Sequence, residues 1–198
     1  MEQIHFPLTF SFHIGTLHND FTTTDSRGKT LAYVRQKLLK FVEEVTVYES
    51  ENKRKQIYQL KADRWIDFNA VYSFLDSEGR LLGSLGKKGW NSIWKAHYEI
   101  FDPQKKHLFT IREDNPWVKV MDYIFSEIPI LGLFSGYFFN PTYRVTDNQG
   151  KSIVKLQKKS SFWGRKFEAS KEIASGDDHN EKILLGLMML LILERRRG

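Results

Sequence analysis

Cysteine is absent from the 198 residues of this chain. Without it the protein has no disulfide bonds, no thiolate ligands for a metal and no cysteine nucleophile. This composition is typical of a reducing compartment, so we expect a cytoplasmic protein, either free or peripheral on a membrane. The first residues, Met1 to Pro7, also lack the basic start and the long apolar stretch of a secretory signal, and none is expected.

Catalytic and metal-binding motifs are scarce. The six histidines show no pair at the spacing that places two ligands on one face of a helix. The triplet Asp177-Asp178-His179 is best interpreted as a solvated turn that caps the following helix. The glycine-rich stretch before Gly89 is not a phosphate-binding loop, because Lys88 stands where that loop needs Ser or Thr. We therefore expect a non-enzymatic protein with no metal and no cofactor.

Charge of either sign is not in large excess. The chain has 30 basic and 24 acidic residues, and its formal net charge is +6. This excess is small for a dedicated nucleic-acid binder, which concentrates positive charge on one face. We expect no nucleic-acid partner.

One unbroken apolar run stands out, from Ile183 to Leu193. A helix that is apolar on every side must be surrounded by apolar groups. This run rises about 16 Å as a helix, whereas the hydrocarbon of a bilayer is roughly 30 Å thick. We predict a helix at about 179–195 that is enclosed by protein; a membrane anchor is the alternative.

Three stretches of the chain follow one template of an aromatic residue, three spacers, Asp, two spacers, Gly and a basic residue. Asp bonds its own backbone two residues on, and Gly accepts a positive φ, so each Asp-x-x-Gly predicts a tight hairpin turn. Two apolar positions and a lysine then recur after each turn. The template positions are Asp25, Gly28, Leu31, Val34 and Lys37; Asp76, Gly79, Leu82, Leu85 and Lys88; and Asp147, Gly150, Ile153, Leu156 and Lys159. Each unit predicts three or four short strands of a β-meander.

The second interval between repeats is longer than the first. Asp25 and Asp76 are 51 residues apart, whereas Asp76 and Asp147 are 71 apart, so an insertion lies in the second interval. Within it, Asp114 precedes Pro116 as a capping side chain precedes the first helical residue, and apolar residues follow at helical spacing. We predict an additional helix near 116–127.

Taken together, these motifs resemble the tubby C-terminal-like superfamily, which includes tubby proteins, phospholipid scramblases and the LURP-one-related proteins. The resemblance is closest to the last group, and the Phe139–Tyr143 segment before the third repeat belongs to it. It implies a closed antiparallel β-barrel of about twelve strands around a buried C-terminal helix. The residues point to the same mainly β architecture, because a wide barrel needs an apolar filler. We expect residues 1–198 to form a single domain.

Basic residues stand beside aromatic ones in several places, notably where Lys87-Lys88 precede Trp90 and Lys158-Lys159 precede Trp163. Such neighbours suit an anionic lipid headgroup, because the cation meets the phosphate while the ring sits at the acyl boundary. An ordinary solvated face is the alternative for each cluster. The candidate ligand-binding residues are Arg35, Lys37, Lys87, Lys88, Lys158 and Lys159.

The resemblance implies the same class of ligand, since tubby domains bind phosphoinositides through basic residues. We therefore expect a monomeric, non-enzymatic module that binds anionic phospholipid or phosphoinositide headgroups and contacts membranes peripherally. A structural or protein-interaction barrel with no small-molecule ligand is the alternative, and a protein anchored by the apolar run is a third hypothesis. Scrambling activity is not expected, because the cysteines and the acidic segment of the scramblases are missing.

Overall fold

The computed structural model describes residues 3–13, 20–36, 44–62, 70–87, 96–114, 141–159 and 166–195. Within these ranges the chain forms twelve strands and one helix. They are β1 Leu8–Phe12, β2 Phe21–Thr24, β3 Thr30–Gln36, β4 Glu44–Tyr48, β5 Gln56–Ala62, β6 Val71–Asp76, β7 Leu81–Lys87, β8 His97–Phe101, β9 His107–Glu113, β10 Thr142–Thr146, β11 Ser152–Lys159, β12 Lys166–Lys171 and α1 Asp177–Arg195.

The strands close into one antiparallel barrel. Each strand pairs with its neighbours in sequence, and β1 pairs with β12 to complete the ring. This arrangement confirms the predicted barrel of about twelve strands. The additional helix predicted near 116–127 lies outside the described residues, in the long interval between β9 and β10.

Tight turns join the strands at one end of the barrel, which we call the hairpin rim. It comprises the turns at 25–29, 49–55, 76–80, 102–106 and 147–151. In the first of them, Oδ1 of Asp25 accepts hydrogen bonds at 2.9 Å from the N–H groups of Arg27 and Lys29. Gly28 closes this turn with a φ of 76°. The sequence template therefore predicted this turn chemistry correctly.

A fourth turn of the same kind was missed in the sequence. Oδ1 of Asp102 accepts hydrogen bonds from the N–H groups of Gln104 at 2.9 Å and Lys106 at 2.8 Å. Lys105 occupies the left-handed position of this turn, with a φ of 64°, where the other Asp turns have glycine. The template required glycine, so it missed a turn in which the Asp side chain accepts the same two backbone hydrogen bonds.

We expect Lys105→Gly to stabilise the protein by about 1 kcal/mol, because a side chain in the left-handed region is strained and glycine is not. For a chain of this size the melting temperature should rise by roughly 3 °C. Lys106→Gly is the control, because Lys106 follows the strained position in the same turn. Thermal unfolding followed by circular dichroism would contradict the expectation if both variants melt at the same or a lower temperature than the parent.

The helix α1 fills the barrel. Every apolar side chain from Ile183 to Ile192 is at most 2% exposed. They pack with inward-facing strand residues, such as Leu60, Leu85 and Leu156, in a single hydrophobic cluster. The bounds of α1 agree with the helix predicted at about 179–195. Among the described residues, no helix combines the length and the apolar character that a membrane crossing needs.

Polar contacts hold both ends of α1. At the hairpin rim the Tyr58 hydroxyl donates to Glu181 at 2.6 Å, and at the other end the hydroxyls of Tyr98 and Tyr143 donate to Glu194 at 3.1 and 3.4 Å. Burial is the main cause that raises the pKa of Tyr58 and of Tyr143 above its ordinary value, and the neighbouring carboxylates add to it. These contacts give the apolar helix polar partners at both rims of the barrel.

Candidate functional site

The structure places two of the candidate lysines on the inner side of the barrel wall. Lys87 pairs across the strands with Tyr98, which is 1% exposed and bonds to α1. Lys158 pairs with Phe167, which in turn pairs with the buried Phe10. Residues directly opposite one another in an antiparallel pair share a face of the sheet. Lys87 and Lys158 therefore face the helix rather than an outer surface.

The other described candidates lie on the outer side, on well-separated strands. Arg35 is on β3, whereas Lys159 ends β11, and β2, β1 and β12 lie between them. Lys37 and Lys88 are outside the described residues. The structure therefore does not bring the four described candidates together on one face, and a shared site for the six residues stays a prediction.

A different set of cations does meet on the outer wall. Arg112 on β9 lies directly opposite Arg144 on β10, and Arg144 lies directly opposite Lys155 on β11. Both arginines are exposed, and Lys155 is half-buried between inward-facing neighbours on its strand. We call Arg112, Arg144 and Lys155 the basic row.

A second like-charged pair lies beside the row. Lys159 at the end of β11 is directly opposite Lys166 at the start of β12. The ammonium of Lys159 forms an ion pair with Glu168 at 2.8 Å. The basic row and this lysine pair together place five cations on the outer face of β9 to β12, a surface that we call the basic wall.

Like charges directly opposite one another destabilise an antiparallel pair, because their Cβ atoms are only about 5 Å apart. Asp114 offsets part of this repulsion: its Oδ2 accepts a hydrogen bond from Nε of Arg144 at 2.7 Å. That hydrogen bond is the main cause that raises the pKa of Arg144. Among the described residues, Arg112 and Lys155 have no hydrogen-bonding or ion-pair partner for their side chains. The row therefore has positive charge that an anionic ligand would neutralise.

Sequence patterns alone did not indicate the basic row. Arg112, Arg144 and Lys155 are isolated basic residues that lie far apart along the chain. Alternation within each strand can identify them as outward-facing positions. Which residues become neighbours depends on the register between strands, and the register is a property of the closed barrel.

Comparison with known proteins identifies the family. The family model of the LURP-one-related proteins matches residues 30–127, about half of the chain. The chain carries a LURP-one-related domain. This family lies in the tubby-like superfamily, so the resemblance predicted from the sequence is confirmed. No match was found to a curated protein or to a solved structure.

The LURP-one-related match runs from the start of β3 past the end of β9. Strands β1, β2, β10, β11 and β12, which lie outside the match, complete the barrel. The basic wall spans this boundary, since Arg112 is inside the matched segment and Arg144 and Lys155 follow it. Tubby-like barrels of this family are generally non-catalytic.

Proposed function

We propose that this LURP-one-related protein is a non-enzymatic, monomeric module that binds anionic phospholipid headgroups through its basic wall. The observation that carries the proposal is the basic row, in which three cations lie opposite one another and Asp114 is the acid paired with the central one. Guanidinium groups suit phosphate because their planar fork donates two parallel hydrogen bonds.

The dimensions of the row fit a headgroup. Neighbouring strands lie about 4.8 Å apart, so a row across three strands spans roughly 10 Å. A phosphorylated headgroup of that size can contact more than one of the three cations at once. Because the row is on the outer face of the barrel, binding requires no opening of the core.

The sequence adds support from the same end of the barrel as the lysine pair. Lys159 and Lys166 lie at the rim opposite the hairpin rim. In the sequence, the intervals that follow β5, β7, β9 and β11 contain all five tryptophans: Trp65, Trp90, Trp94, Trp117 and Trp163. Tryptophan is favoured at membrane–water interfaces. We propose that the protein docks peripherally, with this rim towards the bilayer.

Neutralising the two unpaired cations of the row tests the proposal. Each cation near an anionic surface contributes about 1 kcal/mol, so Arg112→Gln with Lys155→Gln should weaken vesicle binding roughly 30-fold. Binding is measured by co-sedimentation with vesicles of phosphatidylcholine alone and of phosphatidylcholine with phosphatidylserine, at low and high salt. The parent protein should bind only the anionic vesicles, and salt should weaken that binding.

The matched control removes the same charge from the hairpin rim. Arg27 and Lys151 are exposed residues of two turns there, so Arg27→Gln with Lys151→Gln changes the net charge equally. This control should bind nearly as well as the parent. Equal losses in the two double variants would show that net charge, not the basic wall, drives binding. No binding by the parent would favour the alternative of a structural or protein-interaction barrel.

A further inference from the structure

A polar cluster with a different character lies on the outer wall of β2 and β3. Asp20 directly precedes β2 and is 3% exposed. Its Oδ2 accepts a hydrogen bond at 2.5 Å from the hydroxyl of Tyr33 on β3. Among the residues that the structure describes, no group donates to the other oxygen, Oδ1. A buried carboxylate oxygen without a donor is costly, and such a group calls for an explanation.

The hydroxyl of Tyr33 donates its hydrogen bond to Asp20. Burial is the main cause that raises the pKa of Tyr33, and the hydrogen bond to Asp20 raises it further. Tyr33 therefore remains protonated and donates its one proton to Oδ2. The charge on Oδ1 is therefore not offset by a hydrogen bond from Tyr33.

The ring of Tyr33 is already in a cation–π contact. The ammonium of Lys53, in the turn between β4 and β5, lies 5.1 Å from the ring centroid. Lys53 has a φ of 57°, so it occupies a left-handed position like that of Lys105 in its own turn. This backbone conformation places the start of the Lys53 side chain in the turn, and its ammonium lies over the ring of Tyr33. The ring of Tyr33 therefore already has a cation from the same chain over its face.

A second carboxylate stands beside the ring. The Thr22 hydroxyl donates to Oε1 of Glu51 at 3.0 Å, and Nε2 of His13 lies 2.7 Å from the same hydroxyl oxygen. Glu51 is 62% exposed, so this carboxylate is open to a ligand from solvent. The negative charges of Asp20 and Glu51 act on Tyr33 together with the positive charge of Arg35.

We propose that Asp20, Tyr33 and Glu51 form a binding site for an alkylammonium group, and that Lys53 is its intramolecular occupant. Nε2 of His13 lies 3.6 Å from Oε1 of Glu51. With His13 neutral and Lys53 withdrawn, the two carboxylates near Tyr33 outnumber the one cation of Arg35, so the site favours a cationic ligand. A cation over the ring face is attracted by the negative charge of Asp20, whose Oδ1 is itself covered, and Glu51 offers it an exposed acceptor. A metal ion is a poorer fit, since among the described residues no group of three or more His, Asp or Glu side chains is placed to hold one.

The proposal makes opposite predictions for two variants. Lys53→Ala removes the internal competitor and should tighten ligand binding by roughly two- to five-fold, the range expected for an exposed cation–π contact. Asp20→Asn, made in the Lys53→Ala background, should weaken binding by roughly ten-fold, because it removes a negative charge beside the ring. Lys55→Ala is the matched control, because Lys55 is an exposed lysine of the same turn that pairs with Glu49.

The probe is N-acetyl-lysine amide, and N-acetyl-norleucine amide is the neutral counterpart without the ammonium. Binding is followed by NMR as shifts of the backbone amides of Asp20 and Tyr33, and a thermal melt confirms that each variant is folded. Butylammonium distinguishes the source of the ligand: weaker binding than the lysine derivative assigns the site to a peptide side chain, and equal binding assigns it to a free amine.

Three results would overturn the site: equal binding of the lysine and norleucine probes, no gain on Lys53→Ala, or unchanged binding on Asp20→Asn. If Lys55→Ala tightens binding as much as Lys53→Ala, the gain comes from lost positive charge rather than from a vacated ring. The experiment contains no lipid, so its outcome is independent of the basic wall.

Discussion

Leu187→Asp is expected to abolish folding. Leu187 is fully buried in the middle of α1, among the apolar residues that line the barrel. Truncating a buried leucine costs about 2–5 kcal/mol, and an unpaired buried charge adds several more. Native stability is typically about 5–15 kcal/mol, so the combined cost approaches or exceeds it. Circular dichroism and limited proteolysis of the purified variant would show the loss of structure.

Leu187→Met is the control for this position. A swap that conserves volume usually costs less than about 1.5 kcal/mol, so this variant should remain folded. The pair also decides between the enclosed helix and the membrane anchor considered at the start. If α1 were an anchor, Leu187→Asp would release a folded protein from membranes. Soluble, folded Leu187→Asp protein would contradict the role of α1 as the core of the barrel.

Gly186→Leu is expected to destabilise the protein by about 3 kcal/mol, at the upper end of the range for an overpacked core. Gly186 lies on α1 where the helix approaches β8. A Cβ atom there would be 2.6 Å from Cδ1 of Ile100 and 3.2 Å from its Cγ1. Because both atoms belong to a fully buried side chain, Ile100 has little room to move aside. Urea unfolding would measure the loss as a lower midpoint.

A double-mutant cycle isolates this contact. Ile100→Ala removes both clashing atoms and on its own should cost about 2–5 kcal/mol, because it leaves a cavity. Combined with Gly186→Leu, the new side chain can use that space, so the double variant should be more stable than the sum of the single losses predicts. The reference is Gly186→Leu with Lys105→Gly, which lies in a turn at the hairpin rim and should be additive. An additive result for Ile100→Ala as well would mean that the close approach of helix and strand is not what Gly186 permits.

Local chemistry made much of the fold predictable from the sequence. The Asp-x-x-Gly turns were recognisable because Asp25, Asp76 and Asp147 each bond the backbone within their own five-residue turn. The apolar helix was recognisable because its length and uniform character exclude a solvated position. The turn at Asp102 was missed for an equally local reason: Lys105 occupies a left-handed position where glycine is the usual residue.

The candidate sites were less predictable, because they depend on contacts between residues distant in sequence. Clustering along the chain singled out Lys87 and Lys158, yet the alternation of the strands turns both towards the helix. The basic row arises because the register sets Arg112 opposite Arg144, two residues separated by the longest interval between strands.

Patterns along the chain were enough to predict the class of architecture and the core: repeated hairpins, a barrel and an apolar helix that fills it. Turn geometry, side-chain alternation and helix hydrophobicity are properties of a few adjacent residues, so they can be read in order along the chain. Which outward side chains meet depends on the closed barrel, because closure of β1 on β12 sets every register around the ring. Shifting one strand by a single residue would turn each of its side chains to the other face and would disperse both sites.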